Sequence, residues 1–153
     1  MAADRPRLGV DFAGTVEAVG AGVTRFKPGD AVFGGEFGAF SGYVTLSADG
    51  AVAPKPSSMN FDEAGSLGIA GLTALQALRD KGRVQPGQKV LINGASGGVG
   101  TFAVQIAKAM GAEVTGVCST RNVDLVRSLG ADEVIDYKQA DYTRSGRQWD
   151  VIV

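Results

Sequence analysis

At 153 residues the chain can bury one good core, or one core and a smaller lobe. Its 23 glycines follow no Gly-X-Y period, so they point to many tight turns rather than a collagen helix. A net charge of −1 with neither sign clustered offers nothing to nucleic acid or to an anionic membrane surface. No apolar run approaches the ~20 residues of a membrane span, and Met1-Ala2-Ala3-Asp4-Arg5 shows no signal-peptide pattern. A single cysteine, Cys118, suits a reducing compartment, so a cytoplasmic location is expected. Histidine is absent, which removes the commonest zinc ligand and the usual general base together, and no metal site is expected.

In chain order, residues 8–56 read as β-rich. The stretch 10–20 mixes β-branched residues with glycine, and Phe26-Lys27-Pro28-Gly29-Asp30 is a turn with proline pre-setting φ. Ala31-Val32-Phe33 and Tyr43-Val44-Thr45-Leu46 read as further strands of a small barrel or sandwich. Pro54 and Pro56 mark a boundary, dividing the chain into domains 1–57 and 58–153. Beyond it the period changes: Ser58 or Asn60 can cap a helix with Asp62 and Glu63 in its first turn. Ala64, Leu67, Leu72, Leu75 and Leu78 continue an apolar face, as two helices broken near residues 68–71.

The stretch from Lys89 to Met110 carries the chemistry. Lys89-Val90-Leu91-Ile92-Asn93 is a β-type run, Gly94-Ala95-Ser96-Gly97-Gly98-Val99-Gly100 a glycine turn, and Val99, Ala103, Ile106, Ala107 and Met110 fall at helical spacing. Strand, tight turn and helix in that order are what the phosphate-binding end of a dinucleotide βαβ unit requires, the alternative being a purely structural βα turn. Glycines let the backbone approach a pyrophosphate, and the helix start aims free N–H groups and partial positive charge at it. Ala95 stands where the first glycine of the G-x-G-x-x-G pattern would be, with Gly97 and Gly100 in the other two places. A P-loop is excluded because no lysine follows until Lys108. The Gly-x-x-x-Gly-x-Gly spacing of short-chain dehydrogenases is met, but Tyr43, Tyr137 and Tyr142 are followed four places on by Ser47, Asp141 and Gly146, never by lysine.

Gly111 ends that helix, and Glu113-Val114-Thr115-Gly116-Val117-Cys118 is a second strand. A helix over 122–129 presents Leu125, Val126 and Leu129 and stops at Gly130. Strands follow at 133–137 and 149–153. This alternation implies a parallel doubly wound sheet of order 3-2-1-4. At the end of the second strand Cys118-Ser119-Thr120-Arg121 replaces the acid that would bind the ribose hydroxyls of NAD. A 2′-phosphate is therefore not repelled, and Arg121 with Ser119 can bind one. The alternative is a Ser119 that caps the next helix beside a solvated Arg121.

Taken together, Gly9-Val10-Asp11-Phe12-Ala13-Gly14-Thr15-Val16, Phe26-Lys27-Pro28-Gly29-Asp30, Ala70-Gly71-Leu72-Thr73-Ala74, the 94–100 loop and Leu129-Gly130-Ala131-Asp132-Glu133-Val134-Ile135-Asp136-Tyr137 occur in one family order. The chain resembles the zinc-independent, quinone oxidoreductase-like branch of the medium-chain dehydrogenase/reductase superfamily. The resemblance implies an α/β fold: a partial Rossmann domain preceded by part of a GroES-like β-rich domain. It implies NADPH as cofactor and hydride transfer to a small quinone or enone substrate. Thr73 would contact the nicotinamide side, Ser96 and the N–H groups around Gly97, Gly98 and Val99 the pyrophosphate, and Ser119, Arg121 and Tyr137 the 2′-phosphate. Where zinc-using relatives have Gly-His-Glu this chain has Gly9-Val10-Asp11, so Asp11 is expected to be structural. Cys118 is expected to be a buried small residue, and no residue stands out as catalytic. Ser41-Gly42-Tyr43 departs from the Ala-Glu-aromatic common in the family. Full-length relatives extend before Leu8 and after Val153, so the chain reads as an internal piece. Its last strand would present an open edge, and self-association into a homo-oligomer is expected. The competing reading is a truncated NADP-binding module that self-associates and catalyses nothing.

Overall fold

The computed structural model describes residues 8–153; the leader-free reading of residues 1–5 lies outside them. The chain divides into two compact units, one ending at Ile69 and the other running from Ala70 to Val153.

In the first unit β1 (Asp11–Thr15), β2 (Ala31–Gly35) and β3 (Val52–Pro54) form an antiparallel sheet in the order β1-β2-β3. Ala13 faces Phe33, and Phe33 faces Ala53. Phe26, Val32 and Val52 are its buried core, with Phe12, Val16, Leu46 and Ala48 packed against them. Arg25 fastens this core from outside. Its guanidinium lies over the Phe26 ring and donates to the Ala48 and Val52 carbonyls at 2.8 and 2.9 Å. The Lys27-to-Asp30 turn forms as read, with Gly29 at φ +93° and the Lys27 N–H donating to Asp30 Oδ2 at 2.9 Å.

Two strand expectations fail here. Residues 43–46 join no ladder among the described residues: Val44 and Leu46 are half-buried between exposed neighbours, so the segment alternates in burial without a hydrogen-bonded partner. Val52–Pro54, where Pro54 reads as the start of a boundary, is a strand. It lies at the sheet edge, where a residue without an N–H is tolerated.

α1 (Phe61–Gly65) starts at Asn60, whose Oδ1 accepts the Glu63 N–H at 2.8 Å while Glu63 Oε2 accepts the Asn60 N–H at 2.9 Å. α1 lies within the first compact unit, with Gly65 directly against Ala13 of β1. α2 (Gly68–Leu75) follows after a break at Ser66 and Leu67, not at the glycines 68–71. Gly68 is there for close approach. A Cβ on it would overlap Asp11 Oδ1 and come within 2.8 Å of the Gly34 carbonyl. Asp11 Oδ1 accepts the Ile69 N–H at 2.6 Å, so this acid holds the first turn of α2. Gln76–Lys81 then continues as a π-helical segment, which no periodicity of the sequence announces.

The second unit is built on β4 (Lys89–Asn93), β5 (Glu113–Cys118), β6 (Glu133–Asp136) and β7 (Val151–Ile152), all parallel in the order β6-β5-β4-β7. That is the expected 3-2-1-4. β4 alternates its buried residues between two faces: Val90 and Ile92 join Ala103, Val104 and Ala107 of α3 (Gly98–Ala109), with Val126 of α4 (Val123–Ser128), in the main core. Leu91 points the other way and packs with Val117 and Ile135, under Tyr142 and Trp149. Trp149, expected to open the last strand, precedes it and donates its indole N–H to Thr115 Oγ1 at 3.3 Å. On α4 Val126 is buried, whereas Leu125 is largely exposed.

A polar clamp closes the far end of this sheet. Lys108 in the last turn of α3 pairs with Asp132 at 2.7 Å, and Asp132 Oδ2 also accepts the Val114 N–H at 2.7 Å. The Lys108 hydrogen bond is the main reason the Asp132 carboxyl is held below the usual carboxylate range. Its stabilisation is therefore full above the unfolded value of ~4 and fades as pH falls through the lower folded value. The pair is partly exposed, so the contribution is under ~1 kcal/mol. Urea unfolding at pH 6 and pH 3 should show wild type losing more stability than Asp132→Asn over that interval.

Candidate functional site

The β4–α3 turn is shaped by glycines with three different tasks. Gly94 takes φ +76° and turns the chain out of β4, so the turning glycine precedes Ala95, the position the pattern indicated. Ala95 is fully buried, its N–H bonded to the Val117 carbonyl at 2.9 Å, which stitches the turn to β5. Gly97 is the N-cap of α3 and has no side chain to satisfy the free N–H groups beyond it. Its own N–H is committed to the Gly94 carbonyl at 2.9 Å. A Cβ on Gly98 would meet nothing within 4 Å, whereas one on Gly100 would overlap the Gly94 carbonyl oxygen and approach Ala95 Cα to 2.8 Å. Gly100 thus seats the helix on the turn, and Gly98 faces open space at the helix start. Val99, the next residue, is half-buried against the main core, so its N–H sits in a fixed position. Uncapped N–H groups facing open space suit a phosphate.

A second loop leaves β5 beside the first. Cys118 is buried at the strand end; burial pushes its thiol up, and the charge of Asp136 adds to this, so it is a poor nucleophile. Ser119 is extended, and Thr120–Asn122 forms a 3₁₀ turn into α4. Ser119 makes no side-chain cap. Its hydroxyl instead accepts from Asn122 Nδ2 at 3.3 Å, and the same Nδ2 donates to Ser96 Oγ at 2.9 Å. Arg121 is exposed and has no ion-pair partner among the described residues. Tyr137 is 57% exposed just after β6, its N–H bonded to the Cys118 carbonyl at 3.1 Å.

The structure thus gathers Ser96, Gly97, Gly98, Val99, Ser119, Arg121 and Tyr137 around the ends of β4, β5 and β6. Thr73 is exposed midway along α2, and no hydrogen bond or strand register among the described residues ties it to that group. Two residues of the group were missed. Asn122 was read only as a helix start. Asp136, in register with Cys118, was read only as strand. Its carboxylate accepts from Thr120 Oγ1 at 2.6 Å, the Lys138 N–H at 2.9 Å and Gln139 Nε2 at 2.8 Å, and chiefly the Thr120 bond keeps its pKa low. Four parallel strands with a glycine turn leading to an uncapped helix define a Rossmann-like unit, and the antiparallel sheet before it a GroES-like one.

The alcohol dehydrogenase GroES-like domain family matches residues 2–57, and the zinc-binding dehydrogenase family matches residues 98–152. The chain belongs to the medium-chain dehydrogenase/reductase superfamily. It is 43% identical over 157 residues to the mitochondrial NAD(P)H oxidoreductase RTN4IP1 of Bos taurus, covering 95% of this chain and 39% of that protein. The crystal structure of CurK enoyl reductase superposes with a TM-score of 0.86 at 34% identity, covering 96% of this chain and 46% of that one. Escherichia coli quinone oxidoreductase complexed with NADPH superposes with a TM-score of 0.80 at 35% identity, covering 88% and 42%. The chain therefore spans less than half the length of these relatives. Among the described residues no helix is long and apolar enough to cross a membrane.

Proposed function

We propose that the chain supplies the cofactor-binding part of a zinc-free, NADPH-dependent reductase of small quinones or enones, acting in the cytoplasm. The observation that carries this is the start of α3, uncapped by any side chain and open to space at Gly98. When bound, the nicotinamide would supply hydride to an electron-poor carbon of the acceptor. The N–H groups of Gly98 and Val99 would hold the pyrophosphate, aided by the partial positive charge of the helix start. Ser96 would add a hydroxyl to that cradle, and the missing side chain of Gly97 leaves room for the diphosphate. Ser119, Arg121 and Tyr137 would receive the 2′-phosphate, and Thr73 would meet the nicotinamide side. The Asp136 carboxylate is engaged by Thr120, the Lys138 N–H and Gln139. The absence of histidine and the single buried cysteine support chemistry without protein-held zinc. The second reading is a non-catalytic NADP-binding module that self-associates.

Nicotinamide fluorescence titrations test the site and its preference together. NADPH should bind more tightly than NADH, and Arg121→Ala should weaken NADPH binding by roughly 1–3 kcal/mol while leaving NADH unchanged. Equal affinities would overturn the role of Arg121, and no binding of either nucleotide would overturn the site. NADPH oxidation with a quinone acceptor then separates enzyme from module: clear binding without turnover favours the module.

A further inference from the structure

Asn122 joins the two loops of the proposed cofactor site. Its Nδ2 donates at 2.9 Å to Ser96 in the β4–α3 turn and at 3.3 Å to Ser119 at the end of β5. Its backbone N–H also closes on the Ser119 carbonyl at 2.9 Å, which fixes the side chain's starting point. An amide nitrogen carries two hydrogens and accepts nothing, so both serine oxygens must act as acceptors toward it. Each hydroxyl proton is then left to point elsewhere, and among the described residues neither serine donates it to a protein acceptor. Ser96 lies one residue before Gly97, whose helix start offers only further donors. Two hydroxyl protons beside uncapped N–H groups select an anion with several acceptor oxygens.

We infer that Asn122 is a positioning residue for the cofactor phosphates: it sets the spacing of the two loops and turns the hydroxyls of Ser96 and Ser119 into donors toward the bound phosphate oxygens. This rests on the dinucleotide reading of the site. Asn122 itself touches no phosphate in this scheme and acts through the two serines. Its chemistry as a donor, rather than its size, is what matters. A carboxylate of the same shape would take the serine protons for itself and set a negative charge beside the phosphates.

The test is a binding cycle with NADPH as the probe, alongside thermal unfolding without nucleotide. Asn122→Ala should bind about tenfold more weakly than wild type, and Asn122→Asp about a hundredfold more weakly. In a Ser96→Ala/Ser119→Ala background, Asn122→Ala should cost nothing further, because the residues it acts through are gone. A merely structural role gives the same loss in both backgrounds, or losses that track unfolding, and either result overturns the inference. Where Asn122→Ala does not fold, the near-isosteric Asn122→Asp is titrated in the wild-type background alone, and wild-type affinity in that variant overturns the inference equally. Absence of NADPH binding by the wild type is a separate result, which removes the dinucleotide reading and this inference with it.

Discussion

Replacing Gly100 by alanine should destabilise the second unit by about 3 kcal/mol and abolish nucleotide binding. The added Cβ would overlap the Gly94 carbonyl oxygen and sit 2.8 Å from Ala95 Cα and 2.9 Å from the Gly94 carbonyl carbon. All three are backbone atoms of the turn, so no side chain can swing aside. Relief requires α3 to lift from the sheet, which would loosen Ala103, Val104 and Ala107, fully buried against Val90 and Ile92. The uncapped N–H groups at the start of α3 would move with it. Urea unfolding should show a lower midpoint at unchanged slope. A variant as stable as wild type would mean that α3 does not rest on the Gly94 carbonyl.

Two residues earlier the same loop should respond in the opposite way. Gly98→Asp places a side chain where nothing lies within 4 Å, at the first position of α3. A carboxylate there interacts favourably with the helix start, by roughly 0.3–1 kcal/mol, so thermal stability should be kept or rise. The same charge occupies the space proposed for the pyrophosphate and repels it. Like charges brought together cost several kcal/mol, so NADPH affinity should fall by more than about a hundredfold. A folded Gly98→Asp that binds NADPH as wild type does would remove the phosphate from this loop. The two variants together separate a glycine needed for packing from one needed for access.

The parallel sheet was legible because each of its inner strands is a short apolar run that a helical period interrupts. Residues 90–92 and 114–118 are buried on both faces, so their β-type composition and their order follow from the sequence directly. The antiparallel part was less legible. Tyr43-Val44-Thr45-Leu46 has strand composition, yet a strand also needs a hydrogen-bonding neighbour, which composition cannot supply. Val52–Pro54 has the neighbour and lacks the composition. The break before α2 falls at Ser66 and Leu67 rather than at the glycines, although glycine is a weak helix former. Gly68 is instead required by the nearness of Asp11 and the Gly34 carbonyl, a tertiary reason.

The glycine loop, Ser119 and Arg121 are proposed from local pattern at strand ends and turns, and Tyr137 from the family resemblance alone. Asn122 follows from neither. Its partner Ser96 is 26 positions away, and only the folded sheet sets the two side by side. Asp136 was likewise hidden, because its role depends on Thr120 from the neighbouring strand's loop. Asp11, expected to be structural, holds the Ile69 N–H.

The most direct trial of the account is a crystal structure of this chain grown with saturating NADPH. The account predicts the diphosphate seated against the backbone N–H groups of Gly98 and Val99, with the 2′-phosphate beside Arg121. Density for the nucleotide elsewhere, or a turn between Asn93 and Thr101 that stays empty at saturation, would contradict it.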